Sequence, residues 1–173
     1  MVRLRQVPTQ AEGACGVARD RGVEMLPDEV ASLLAEQRTI TLATIGPDGL
    51  PHLAAMWFVP DGDDLLLWTY ATSQKAQNVV RDPRASVLAE TGTAYNELRG
   101  VCLDCAVEVV TELDGVLPIG RALMVRNLGL DPDAPGAEQG LRAQAGKRVG
   151  LRLHPVRTRS WDHRKQRSVA GTQ

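Results

Sequence analysis

Two hydroxyls and a lysine fall close together at one point of the chain and have the chemistry of an anion-binding site. Thr69 closes an apolar run, and Ser73 and Lys75 follow it directly. Ser73 is a typical N-cap for a helix that begins near Gln74. A helix N-terminus offers unpaired N–H groups and a partial positive charge. This segment therefore predicts a phosphate or carboxylate site, and an ordinary hydroxyl-capped helix is the alternative that the local pattern leaves open.

Other chemistry is weakly indicated. The chain has no GxGxxG, Walker, HExxH or GxSxG motif, and its histidines (His52, His154 and His163) lie far apart in sequence. Cys102 and Cys105 form a CxxC, but residues three apart on a strand point to opposite faces, so we predict structural cysteines and no metal site. No catalytic residue is assigned. If the protein is an enzyme, we expect a cofactor to carry the reaction.

Aromatic side chains are few, yet four of the six lie in one short stretch. Trp57 and Phe58 end one predicted strand, and Trp68 and Tyr70 end the next. A cluster of rings favours either a flat ligand or a local aromatic core, and both readings stay open here.

The elements that position these residues are mostly strands. Apolar alternation, β-branched residues and turn signals such as Gly46-Pro-Asp-Gly49 predict six strands and three or four helices, with 138–145 as the optional fourth. The strands are 39–45, 51–59, 64–70, 85–90, 99–110 and 148–154. The helices are 27–37, 74–81, 118–128 and 138–145. Strands and helices do not alternate along the chain, so the fold class is mainly β: a small antiparallel barrel with peripheral helices.

Composition limits the function classes. The net charge of -1 gives no general attraction for nucleic acid, although residues 157–167 are basic. No apolar run reaches the roughly 20 residues that cross a bilayer, and we expect a cytoplasmic protein without membrane or nucleic-acid partners. We predict an N-terminal arm over residues 1–24, one domain over 25–167 and a tail over 168–173.

Several motifs, taken in order, resemble the pyridoxamine 5'-phosphate-oxidase-like split-barrel family and its flavin and deazaflavin oxidoreductase branch. The matching stretches are Leu42-Ala-Thr with Gly46-Pro-Asp-Gly-Leu-Pro-His52, Met56-Trp-Phe-Val59, Trp68-Thr-Tyr-Ala-Thr-Ser-Gln-Lys75 with Asn78 and Asp82-Pro83, Arg99-Gly-Val101, Lys147-Arg148, and Ser160-Trp-Asp-His-Arg-Lys165. Two positions depart from the common pattern: Ala54-Ala55 stands where a proline often precedes the Trp-Phe pair, and Cys105 stands where glycine is common.

The resemblance implies a six-stranded antiparallel split β-barrel that forms a homodimer, with a cofactor at the interface and a small-molecule substrate. It implies that the second strand lies along the cofactor ring, that the helix after Thr69 holds the phosphate, and that the C-terminal region reaches the cofactor across the dimer. The cofactor-binding residues so predicted are Ala55, Met56, Trp57, Phe58, Thr69, Ser73, Gln74, Lys75, Asn78, Trp161 and Arg164.

Two cofactors compete in this reading. FMN-binding members usually place extra cations on the second strand, and this strand has none between Ala54 and Val59. The Trp-Phe strand and the Ser-x-Lys-x-x-Asn helix are more similar to members that use the deazaflavin coenzyme F420. The resemblance therefore favours an F420H2-dependent reductase, with an FMN-dependent oxidase or reductase, or a non-catalytic flavin-, F420- or haem-binding protein, as alternatives.

Overall fold

A single curled antiparallel sheet forms the body of the protein. The structure is a computed structural model that describes residues 22–168 of the chain. The strands are β1 (Thr39–Ile45), β2 (Pro51–Trp57), β3 (Val59–Asp61), β4 (Asp64–Tyr70), β5 (Arg84–Thr91), β6 (Arg99–Val110) and β7 (Arg148–Asp162). The helices are α1 (Pro27–Glu36), α2 (Gln74–Arg81), α3 (Leu113–Leu128) and α4 (Ala137–Ala145). Two short 3-10 turns span Tyr95–Glu97 and His163–Ser168.

The strand order explains how the sheet closes. It runs β2-β1-β5-β6-β7-β4-β3, and every recorded pairing is antiparallel. The two edge strands, β2 and β3, follow one another in the chain with only Phe58 between them. The sheet must therefore curl until its edges meet, and the predicted mainly β split barrel is confirmed. The predicted second strand divides at Phe58, which gives seven strands instead of six.

The inner face of the sheet holds an aliphatic core. Alternate residues of β1, β5, β6 and β7 are buried, as the periodicity of two requires. Leu33 and Leu34 of α1 and Ala76 and Val79 of α2 pack against this core. On the outer face, α3 covers β4, where Ile119 and Leu123 meet Leu66.

Two proline positions differ from expectation. The third helix begins at Leu113 and not at Pro118, so the proline lies inside α3, on its exposed side. The last strand continues past Pro155 to Asp162, because a bulge opposite Asp104 and Cys105 absorbs the missing N–H. The sequence pattern placed the start of the helix at Pro118, which is wrong. It allowed the last strand to continue past Pro155 only at an edge or bend, and the bulge is such a bend.

Arg126 of α3 ties α1 to the barrel. Its guanidinium donates to the backbone carbonyls of Leu34, Ala35 and Gln37 at the C-terminal end of α1, which has no basic residue of its own there. A cation at this end also complements the helix dipole. Burial and the nearby Arg38 lower the pKa of Arg126 below its usual value, but a guanidinium stays charged at neutral pH.

The N-terminal boundary can be placed only in part. Most of the predicted arm, residues 1–21, and the residues after 168 lie outside the described part of the chain. Val23 and Met25 are buried, and Met25 N donates to Ser160 Oγ at the end of β7. No helix between residues 22 and 168 has the length and apolar character needed to cross a bilayer.

Candidate functional site

The hydroxyls and the lysine predicted from the sequence do come together at the start of α2. Ser73 is the N-cap, and its Oγ accepts a hydrogen bond from Ala76 N at 3.4 Å. Thr69 Oγ1 lies 3.1 Å from Ser73 Oγ, and Lys75 Nζ donates to Thr69 Oγ1 at 3.3 Å. Among the described residues, no carboxylate pairs with Lys75. The group therefore presents hydroxyls, a helix N-terminus and an uncompensated ammonium, as an anion site requires.

Asn78 and Gln74 position this helix. Asn78 is fully buried, donates to Thr44 Oγ1 at 3.0 Å and accepts from Gln74 Nε2 at 2.8 Å. Both ends of its amide are thus engaged inside the protein, which fixes α2 against β1. The structure places Asn78 beneath the anion site, where its side chain supports Gln74 and does not face outward.

The second strand presents only part of its predicted surface to a ligand. Ala55, Met56 and Trp57 line a shallow groove of about 300 Å³, together with Thr39 of β1 and Trp68 of β4. Phe58 has none of its side chain exposed and packs with its ring 5.5 Å from the Arg126 guanidinium. The Phe58 side chain is therefore part of the core, and only its backbone could touch a cofactor.

A larger cavity of about 530 Å³ adjoins this groove and lies between β4 and the two helices α3 and α4. Trp57 and Trp68 line both spaces. Arg148, the first residue of β7, stacks on Trp68 and Tyr70, with its guanidinium carbon 4.6 and 4.3 Å from the two ring centroids. The aromatic stretch is therefore neither wholly a core cluster nor wholly a ligand surface. Phe58 belongs to the core, and the rings of Trp57, Trp68 and Tyr70 line the cavity.

Trp161 and Arg164 lie at the opposite end of β7. Trp161 pairs with Gly100, and its ring occupies the space that a side chain at Gly100 would need. The Arg164 guanidinium donates to both carboxylate oxygens of Asp162, at 2.8 and 2.6 Å. Since a strand rises about 3.3 Å per residue, roughly 40 Å of strand separates Trp161 from Arg148. Within one protomer these residues do not join the anion site, and their contact with a cofactor across a dimer stays a prediction.

The two cysteines of β6 lie where the sequence predicts them, on opposite faces of the strand. Cys105 is buried and Cys102 is half-buried on the other face of β6, so the CxxC thiols do not converge. Burial, reinforced by the charge of Asp104, raises the pKa of the Cys105 thiol to about 12. Between residues 22 and 168, no group of His, Cys, Asp and Glu side chains is arranged to hold a metal ion.

Sequence reasoning missed Arg148 as a site residue. The sequence singled out Arg148 only as part of a family motif. Its aromatic neighbours belong to β4, which is far away in sequence and pairs with β7 so that Tyr70 lies opposite Arg148. The alternating pattern predicts both β4 and β7 as strands. A prediction that these two strands pair would have placed Arg148 beside the aromatic stretch.

Comparisons with known proteins agree with this geometry. The sequence model of the pyridoxamine 5'-phosphate oxidase family matches residues 26–162. A conserved hypothetical protein from Mycobacterium tuberculosis is 42% identical, with a TM-score of 0.79 over 84% of this chain and 90% of that one. The chain belongs to the pyridoxamine 5'-phosphate oxidase family. A comparison with curated proteins gave no match.

Two further solved structures describe the range of this fold. One, an F420 reductase, is 25% identical, with a TM-score of 0.59 over 78% of this chain and 98% of that one. The other, an FAD-binding protein from Mesorhizobium loti, is 21% identical, with a TM-score of 0.59 over 79% of this chain and 94% of that one, and shows the fold alone. Flavin- and F420-linked proteins thus both occur among the structural neighbours.

The residues present fit a flat cofactor that carries a phosphate. Lys75, Thr69 and Ser73 supply donors for a phosphate oxygen. Trp57 and Trp68 supply apolar ring surface in the groove along β2. On β2, His52 Nδ1 is buried and has no hydrogen-bond partner among the described residues. His52 does not line the groove along β2, so this nitrogen is not assigned to the ligand site.

Proposed function

We propose that the protein is an F420H2-dependent reductase. The observation that carries the proposal is the uncompensated Lys75 ammonium, held with Thr69 and Ser73 at the N-terminus of α2. Trp68, which lines the groove along β2, directly precedes Thr69 in β4. When bound, the reduced deazaflavin supplies a hydride to a conjugated small-molecule acceptor, which also takes up one proton.

The chain's own residues have binding and orienting roles in this proposal. Lys75, Thr69 and Ser73 hold the phosphodiester of the coenzyme through charge-assisted hydrogen bonds. Ala55, Met56 and Trp57 border the ring, and Trp68 lines both the groove and the larger cavity. Holding two reactants in one geometry removes much of the entropic barrier to their reaction. No described residue is assigned as the proton donor, and solvent can fill this role.

The distribution of charge favours F420 over FMN as the cofactor. The strand β2 contains no lysine or arginine between Pro51 and Trp57, and Lys75 is the cation at the start of α2. A compact FMN phosphate usually draws on additional cations of the second strand, which are absent from this one. The 25% identity with an F420 reductase supports the same choice.

A homodimer is part of the proposal, because residues 22–168 leave part of the outer face of the sheet uncovered. Exposed apolar side chains lie on β2, β5 and the second half of β7: Leu53, Leu88 and Val156 are 64%, 36% and 71% exposed. Helices α3 and α4 pack instead around β4, where they also meet Val59 of β3 and Val110 at the end of β6. A second copy seated on the bare face would shield these side chains. Light scattering should give twice the mass of 18.7 kDa.

Fluorescence titration tests the choice of cofactor. Purified protein is titrated with F420 and, separately, with FMN, by following the emission of each ligand. Micromolar or tighter F420 binding together with weak FMN binding supports the proposal and leads to an assay of alkene and imine reduction. The reverse order of affinities would move the protein to the FMN alternative. Tight F420 binding without turnover over a broad acceptor panel would favour a non-catalytic carrier.

A further inference from the structure

The larger cavity meets the phosphate site only at Thr69 and has the dimensions of a small-molecule pocket. Its volume of about 530 Å³ lies within the range of roughly 300–1,000 Å³ typical of ligand pockets. Most of its wall is apolar, contributed by Trp57, Trp68, Leu123, Met124, Leu128 and Leu141. Because Trp57 and Trp68 also border the groove along β2, the cavity opens next to the predicted position of the cofactor ring.

Charge in the cavity wall is concentrated at Arg148. Its guanidinium lies against the rings of Trp68 and Tyr70, and its NH1 donates to the carbonyl of Gln144 at 2.9 Å. No carboxylate among residues 22–168 forms an ion pair with it. Two ring faces fix this cation in place and leave part of its donor fork unused.

The other charged residues of the wall already have partners. Arg121 forms an ion pair with Asp133 at 3.2 Å and donates to the carbonyl of Pro132 at 3.1 Å. Asp131 Oδ1 accepts from the backbone N–H of Asp133 at 2.9 Å. Arg148 is therefore the cation in this wall that a ligand can reach without breaking an ion pair.

We infer that this cavity binds the acceptor and that the acceptor is an elongated apolar molecule with one carboxylate, which Arg148 recognises. The apolar wall accounts for the body of the ligand, and the planar guanidinium matches a carboxylate with two parallel hydrogen bonds. The shared tryptophans place the ligand beside the cofactor ring. The role of this ligand as the hydride acceptor rests on the proposed function. The binding of an apolar carboxylate can be measured without any cofactor.

A matched pair of ligands tests the charge requirement. The probes are 3-(2-naphthyl)acrylate and its primary amide, which have the same shape and the same conjugated alkene but differ in charge. Calorimetric titration of the full-length protein without cofactor should show the acrylate binding about 10-fold or more tightly than the amide, as expected for a hydrogen bond to a charged group. Equal affinities for the two probes would overturn the inference.

Variants locate the effect in the cavity. Arg148→Gln should remove the preference for the acrylate and leave the affinity for the amide unchanged. Arg142→Gln is the control, because Arg142 lies on α4 outside this cavity and pairs with Glu138. Gly140 lines the cavity and has open space at its Cβ position, so Gly140→Phe should weaken both probes and Gly140→Ala neither. A preference that survives Arg148→Gln but is lost in Arg142→Gln would contradict the assignment.

A parallel F420 and FMN titration separates the two proposals. If F420 binds and the acrylate has no advantage, the cavity inference fails while the reductase proposal stands. If the acrylate is preferred through Arg148 and neither cofactor binds, the carboxylate site stands and the reductase proposal fails.

Discussion

The two ends of β7 carry similar residues in opposite electrostatic situations. At the first end, Arg148 stacks on Trp68 and Tyr70, and Lys75 lies nearby on α2, with no carboxylate paired to either cation among the described residues. At the second end, Trp161 is accompanied by cations that are neutralised: Arg164 pairs with Asp162, and Lys165 pairs with Glu29 at 2.6 Å.

This difference separates cations that stabilise the fold from cations that are available to a ligand. An ion pair with several hydrogen bonds holds two chain segments together, as Lys165 does between the C-terminal turn and α1. An aromatic-stacked or hydroxyl-bonded cation keeps its charge uncompensated, and such a group in a concave site is a candidate for ligand binding. The contrast leads to predictions that differ between the two ends.

The largest expected effect comes from the glycines beneath the two tryptophans. A methyl group at Gly120 would overlap the ring of Trp68, and one at Gly100 would overlap the ring of Trp161. Because overpacking shifts a ring and its neighbours, Gly120→Ala and Gly100→Ala should each lower the free energy of unfolding in urea by roughly 1–3 kcal/mol.

The glycine pair also distinguishes the two ends of β7 by function. Gly120→Ala should weaken the binding of the naphthylacrylate probe, because Trp68 lines the cavity. Gly100→Ala should leave that binding unchanged, because Trp161 lies at the other end of β7. Equal losses of probe affinity in the two variants would mean that the two ends of β7 are coupled, and would contradict their separate roles.

A smaller loss of stability is expected from Asp162→Asn at the paired end. Asp162 is only 4% exposed, and the hydrogen bond from Arg164 lowers the pKa of its carboxyl. The substitution should cost roughly 1–2 kcal/mol at pH 7, a modest value because half of the Arg164 side chain remains in solvent.

The stability that Asp162 contributes should depend on pH in one direction only. A carboxyl with a lowered folded-state pKa contributes stability that is fully present above its unfolded value of about 3.9 and is lost as pH falls through the folded value. The difference between wild type and Asp162→Asn in urea unfolding should therefore shrink below about pH 4. Asp63→Asn, at an exposed turn, is the control and should show no such difference at any pH.

The smallest effect concerns the two cysteines of β6. The pKa of Cys105 is raised to about 12 by burial, so its thiol stays protonated and shielded at pH 8, whereas Cys102 is partly exposed beside Arg159. At a dilution that keeps the folded protein monomeric, iodoacetamide should modify Cys102 and should reach Cys105 only after unfolding, as peptide mass mapping would show. Labelling of Cys105 at the rate of Cys102 would contradict the buried position.

The sequence predicts the features that depend on local rules. The N-cap at Ser73, the end of α2 before Pro83 and the alternation of β6 from Arg99 to Val110 all follow from short-range chemistry, and all are confirmed. The grouping of Thr69, Ser73 and Lys75 is predictable for the same reason, since it involves one strand end and the following turn of helix.

Features that depend on distant contacts could not be read from the sequence. Phe58 and Asn78 were predicted to face a cofactor, yet packing against Arg126 and Thr44 buries both side chains. Arg148 reaches the aromatic stretch only through the pairing of β4 with β7. The helix that runs through Pro118 and the bulge after Pro155 likewise depend on surrounding structure that outweighs local preference.

The central claim is that Lys75 binds the phosphate of F420. The affinity of the Lys75→Ala variant for F420 tests it most directly, with Arg84→Ala as the control variant. Lys75 lies in the first turn of α2 and Arg84 lies just after its C-terminal end. Arg84 is exposed and paired with Asp82 at 2.7 Å, while Lys75 has no such partner in the described chain. Loss of a charged hydrogen bond to phosphate predicts roughly 10- to 150-fold weaker binding for Lys75→Ala, from about 1.5–3 kcal/mol. Arg84→Ala should bind F420 as the wild type does. Unchanged affinity in Lys75→Ala, in a protein that still binds F420, would contradict the assignment of the anion site.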